Sequence, residues 1–181
     1  MWASHARNIG HEVMLDLPQE SEDYPAVDPG PYALLNTLDS QTNTDRLQWI
    51  MNTISGYVGF LQSDKPAPQT IDVMNAFREL ANRGIFFIES VHDKQAGVLK
   101  HQQQMGLITQ TYTSRIDEVL NAESIKNQLN SLVKQAKKEG VAIGVTLPYP
   151  LSLELINAWS KELDQMGVTL APVSAIIKHE N

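Results

Sequence analysis

Cysteine is missing from the 181-residue chain. That excludes disulfides, thiolate-ligated metals and a cysteine nucleophile. Positive charge is scarce as well. Lys and Arg number 14 against 21 Asp and Glu, for a formal net charge of −7 and a pI near 5.1. Nucleic-acid binders carry a basic face, so a nucleic-acid partner is not expected. Lys134, Lys137 and Lys138 do gather, but at the end of a predicted helix, where cations complement the dipole. No apolar run reaches the length of a membrane span. Residues 1–7 do not read as a signal peptide, and no export signal is legible. A Gly-x-Ser-x-Gly elbow and a Gly-rich phosphate loop are both absent.

What is present is a repeated joint. A helical stretch ends in Gly, and a short apolar run follows at once. The joints are Gly10 before His11–Leu15, Gly56 before Tyr57–Phe60, Gly84 before Ile85–Ile88 and Gly106 before Leu107–Thr109. Gly140 before Val141–Ile143 and Gly167 before Val168–Leu170 complete the set. A helix C-terminus often needs a left-handed residue, and Gly takes that conformation without Cβ strain. The stretches between the joints carry helical stripes: Leu47, Ile50, Met51 and Ile54; Val73, Phe77, Leu80 and Ala81; Ile125, Leu129, Leu132, Val133 and Ala136; Ile156, Trp159 and Leu163. Lys94–Met105 makes a weaker helix, with Gly97 inside it.

Alternating helices and strands imply an α/β fold with a parallel sheet of about six strands, doubly wound or barrel-like. With 42% apolar residues the chain can bury a real core, and its length suits a single domain over residues 1–181. The first element is the tail of a helix with no strand before it. A leading strand–helix–strand is therefore expected to be missing.

Sites in parallel sheets lie at the C-terminal ends of strands. Asp16 closes the first strand, with Glu20 four residues on. Gln62, Ser63 and Asp64 follow Phe60. Glu89 closes the Phe86–Ile88 run and precedes Ser90, His92 and Asp93. Thr146 and Tyr149 follow Val145. Asp16 and Glu89 are the catalytic candidates, as an acid–base pair; the alternative is two solvated loop acids. Asp16, Glu89 and His92 are the residues of ligand type if a divalent metal such as zinc is bound, although no H-x-x-E-H spacing exists. Residues 17–39 form a long Pro-rich loop with an Asp28-Pro29-Gly30-Pro31 turn, and long loops are often functional. Glu20, Tyr24, Asp28, Gly30, Gln62, Thr146 and Tyr149 are the candidate substrate contacts. His5, His11, His101 and His179 read as structural or surface residues.

The run Gly10-His11-Glu12-Val13-Met14-Leu15-Asp16-Leu17-Pro18-Gln19-Glu20 resembles the G-H-E-V-L-L-x-L-P-M-E segment of the divergent polysaccharide deacetylase family. The resemblance continues through Tyr24-Pro25, Asp28–Pro31 and Leu34-Leu35. It includes Gly56–Gly59, Arg83–Ile88, Ala142–Gly144 and Pro172–Ala175, in order along essentially the whole chain. It implies an incomplete (β/α) barrel of the glycoside hydrolase/deacetylase type, related to the NodB-like carbohydrate deacetylases. Those bacterial hydrolases of carbohydrate metabolism remove acetyl groups from sugars, using a divalent metal and a carboxylate base. It also implies a periplasmic or exported protein whose partner is a glycan or acetylated oligosaccharide.

The chain departs from the family pattern at its site. The paired aspartates of the family's first strand would precede Met1, so the domain reads as N-terminally truncated. Where the family has N-H-M-G or N-Y-M-G, this chain has Phe60-Leu61-Gln62-Ser63. Where many members have G-H-P, it has Val145-Thr146-Leu147-Pro148. Asp16 and Glu89 occupy site positions with changed residues. Three readings follow: a pseudoenzyme, impaired or non-catalytic, that binds glycan; an active metal-dependent deacetylase; or a remnant without independent function. Unpaired barrel edges at His11–Leu15 and near Val168 would invite self-association.

Overall fold

The structure, a computed structural model, describes residues 2–62, 68–90 and 104–176. The chain divides into two compact units, Met1–Gln110 with Ile177–Asn181, and Thr111–Ile176.

The first unit begins with α1 (Trp2–Asn8) and β1 (Met14–Asp16). It continues through α2 (Ser40–Thr53), β2 (Gly59–Leu61), α3 (Ile71–Ala76), α4 (Arg78–Asn82) and β3 (Phe86–Ser90). β4 (Thr109–Tyr112) runs across the boundary between the units. The sheet order is β1-β2-β3-β4. Met14, Gly59 and Phe86 stand in one row of the parallel ladder; Leu15, Phe60 and Phe87 form the next, and Asp16, Leu61 and Ile88 the third.

Successive residues of a strand point to opposite faces. The row of Phe60 and Phe87, both fully buried, packs into a core with Leu47, Ile50 and Met51 of α2, Val73 and Ala76 of α3, and Leu80 of α4. These are the apolar stripes expected from the helical period. One stripe is divided between two short helices: Phe77, with φ −64° and ψ −15°, ends α3 and opens into α4, yet Val73, Phe77 and Leu80 all stay buried.

All six joint glycines have positive φ, as the sequence implies; at Gly140, φ is 84° and its N–H caps the helix by donating to the Ala136 carbonyl. Gly59 serves a different need. A Cβ there would lie 2.5 Å from a ring carbon of Phe86 and 2.8 Å from its carbonyl oxygen, so only Gly lets β2 approach β3 this closely.

The Pro-rich loop is anchored at both ends. Gln19 and Leu34 form an isolated parallel bridge, with Glu20 N–H donating to Leu34 O and Leu34 N–H to Pro18 O. Asn43, fully buried on α2, accepts from Leu35 N–H and donates to the Leu35 and Leu38 carbonyls.

The second unit holds β5 (Ser114–Arg115), α5 (Ala122–Glu139), β6 (Gly144–Val145), α6 (Pro150–Ser160) and α7 (Val173–Ile176). β5 and β6 are parallel, with Ser114 opposite Gly144 and Arg115 opposite Val145. α5 starts at Asn121, whose side chain accepts from Ser124 N–H. Its apolar face, Ile125, Leu129 and Leu132, packs with Ile116 and with Leu151, Leu155, Ile156 and Trp159 around α6.

Three details differ from the sequence reading. The run Val141–Ile143 after Gly140 is not itself a strand, because β6 begins at Gly144. β5 is an additional two-residue strand that no glycine joint announces. Val168–Leu170 follows its glycine but lies in no strand, and Leu170 is 64% exposed. A glycine cap ends a helix; it does not supply the neighbouring strand that a ladder needs. Most of the weak helix expected over Lys94–Met105 lies outside the described residues.

Candidate functional site

In the first unit the parallel ladder brings three candidate residues to the same end of the sheet. Asp16 is the last residue of β1 and is exposed. Gln62 directly follows β2, and its N–H donates to the Ile88 carbonyl at 2.8 Å. Glu89 is the penultimate residue of β3.

The register decides which of them share a face. Asp16 is level with Leu61 and Ile88. Gln62 and Glu89 are one residue further along, level with Leu17, and so lie on the opposite side of the pleat, with Phe60 and Phe87. The structure therefore groups Gln62 with Glu89 and sets Asp16 on the other face. Exposure follows the same division: Gln62 is 2% and Glu89 1% exposed. Both side-chain polar atoms of Gln62 are buried without a hydrogen-bond partner.

The loop candidates are tied into local structure. The Glu20 carboxylate accepts from Asn36 N–H at 2.9 Å and from Asn36 Nδ2 at 3.2 Å. Asn36 in turn donates to Pro68 O and accepts from Thr70 N–H. Glu20 thus fixes the exit of one strand-end loop against another. Asp28 Oδ1 accepts from Gly30 N–H at 2.8 Å, the short-range bond of an Asx turn, and Gly30 has φ 104°. Tyr24 is half-buried. Gln19, which the sequence did not single out, accepts from Gln69 Nε2 at 2.6 Å. Ser63, Asp64, His92 and Asp93 lie outside the described residues, and with His92 goes the three-ligand metal set. Among the described residues no group of three or more His, Cys, Asp or Glu could hold a metal ion.

The second unit contains a site built around a residue the sequence reading passed over. Asp117 lies two residues beyond β5 and is 6% exposed. Its Oδ2 accepts three hydrogen bonds: from Thr146 Oγ1 at 2.7 Å, Leu147 N–H at 2.9 Å and Ser152 Oγ at 3.0 Å. Burial pushes the carboxyl pKa up, but these bonds together outweigh it and hold Asp117 below the ordinary aspartate value. Oδ1 is buried and has no partner. Thr146, a predicted contact residue, is therefore bound to Asp117. Tyr149 is the N-cap residue of α6 and is 40% exposed. Asp117 was hidden because β5 has only two residues and no flanking glycine. The usable signal was the short run Ser114-Arg115-Ile116-Asp117 immediately before the cap of α5.

A parallel sheet packed against helices, with carboxylates and amides at its strand ends, defines an α/β protein. The model of the divergent polysaccharide deacetylase family matches residues 1–177, and the chain belongs to that family. It is similar to the uncharacterized protein YibQ of Escherichia coli (strain K12), at 21% identity over 97% of this chain and 53% of that protein. The crystal structure of the uncharacterized protein ATU2773 from Agrobacterium tumefaciens C58 superposes with a TM-score of 0.91. It is 27% identical, over 97% of this chain and 72% of that one. The chain thus spans about half the length of the curated relative it matches.

Proposed function

We propose that this chain is a carbohydrate-binding member of its family whose hydrolytic chemistry is impaired, with an incomplete (β/α) barrel as its scaffold. The sequential order β1-β2-β3-β4 supports barrel-type winding, in which each strand is laid beside its predecessor. The observation that carries the functional reading is the identity of two motif positions together with the state of the residues beside them. In the matched motifs Leu61 stands at the histidine of N-H-M-G and Leu147 at the histidine of G-H-P, each beside a polar residue, Gln62 and Thr146. Gln62 is enclosed at the end of β2, and the Thr146 hydroxyl is held by Asp117. A leucine side chain can neither ligate a metal nor carry a proton as an imidazole does. The neighbouring Gln62 amide and Thr146 hydroxyl suit hydrogen bonding to sugar hydroxyls and acetamido groups.

Glu20, Tyr24, Asp28, Gly30 and Tyr149 complete the proposed binding surface, within their respective units. Aromatic faces such as those of Tyr24 and Tyr149 suit the apolar faces of sugar rings. Asp16 and Glu89 remain the acids to which residual catalysis would be assigned, with zinc or manganese as the metal. Self-association through the outer edge of β1, an end strand of its sheet, belongs to the same proposal. No described helix is long and apolar enough to cross a membrane.

The test is acetate release from acetylated chito-oligosaccharides by the full chain supplied with zinc or manganese. The expected result is no release above the protein-free control. Sustained turnover that a chelator abolishes would establish the active deacetylase instead.

A further inference from the structure

We propose that Asp117 is a ligand-binding carboxylate whose Oδ1 accepts a hydrogen bond from a hydroxyl of a bound carbohydrate at the ends of β5 and β6. The proposal rests on the glycan-binding reading and adds a residue that no motif assigned.

Three donors converge on one oxygen of this carboxylate and none on the other. They come from three places: the end of β6 (Thr146), the main chain after it (Leu147) and the third residue of α6 (Ser152). Asp117 cannot turn Oδ2 away without losing all three, so Oδ1 is fixed in position. It is also fixed in polarity, because an ionised carboxylate only accepts. A buried acceptor without a donor has given up hydration with nothing in return, and native proteins keep few of them. A partner that satisfies Oδ1 brings a donor, and under the glycan reading a sugar hydroxyl is that donor.

The location agrees, since ligands of parallel α/β folds sit beyond the carboxyl ends of strands. Tyr149, exposed at the head of α6, offers an aromatic face on the helix that carries Ser152. Oδ1 is closed to bulk solvent, so binding there requires a local opening, and an equilibrium titration includes the cost of that opening.

Asp117→Asn tests this with almost no change of shape. The three donors will hold the amide oxygen in the Oδ2 position, which puts the NH2 group where Oδ1 was and turns an acceptor into a donor. The wild-type chain and the variant are titrated calorimetrically with acetylated chito-oligosaccharide, and their melting is compared without sugar. The expected result is saturable wild-type binding, at least about tenfold weaker in the variant, with similar melting. Equal affinity in the two overturns the Asp117 assignment and leaves the glycan reading standing. No binding by the wild type overturns both.

If the variant does not fold, carbon-detected NMR of the wild-type chain replaces it. The Asp117 carboxyl signal is expected to shift saturably with sugar. A signal that stays fixed while others move, as for an internal water only, overturns the assignment.

Discussion

Thr146 Oγ1 stands 2.7 Å from Asp117 Oδ2, so a hydroxyl from the end of β6 is held by a carboxylate from the end of β5. The same oxygen takes Leu147 N–H and Ser152 Oγ, which ties the start of α6 to the strands.

This relationship has a pH signature. The carboxyl of Asp117 is held below the ordinary aspartate value of 3.8, and a group depressed in the folded state stabilises it above the unfolded pKa. That contribution should be complete at neutral pH. It should be lost as pH falls below about 3.9 and through the lower folded value. Chemical denaturation from pH 7 to pH 2 should show a steeper acid loss for wild type than for Asp117→Ala. Identical acid limbs would contradict the assignment.

Gly59→Ala should destabilise the first unit. The added methyl would meet the Phe86 carbonyl, which belongs to the ladder and cannot swing aside as a side chain can. Overpacking of this kind costs about 1–3 kcal/mol, visible as a lower urea midpoint. An unchanged midpoint would mean that β2 and β3 are further apart than described.

Asn43→Ala should loosen the Pro-rich loop. It removes three hydrogen bonds from a fully buried side chain and takes the partner from Leu35 N–H and the Leu38 carbonyl, while the Leu35 carbonyl keeps Leu38 N–H. The loss should be about 2–3 kcal/mol, with faster proteolysis within residues 17–39. Unaltered cleavage there would show that the loop is anchored elsewhere.

The glycine joints and helical stripes made the fold class legible, because each states a local requirement. Gly140 must be left-handed, and Leu47, Ile50 and Met51 must share a face. The strand at Val168–Leu170 was misread because pairing is not local: nothing in those residues says whether a neighbour exists. At the site, strand-end reasoning found Asp16, Gln62 and Glu89 but not their faces. A one-residue offset in register separates Asp16 from the other two, and a sequence does not print its register. Asp117 escaped for a related reason, since its importance lies in donors drawn from residues about 30 positions away.

Calorimetric titration of the full chain with acetylated chito-oligosaccharides, with and without a chelator, tests the central claim most directly. The account predicts a saturable heat that chelation leaves unchanged, and sugar recovered intact with its acetyl groups in place. Recovery of deacetylated sugar, formed only when the divalent metal is present, would contradict it.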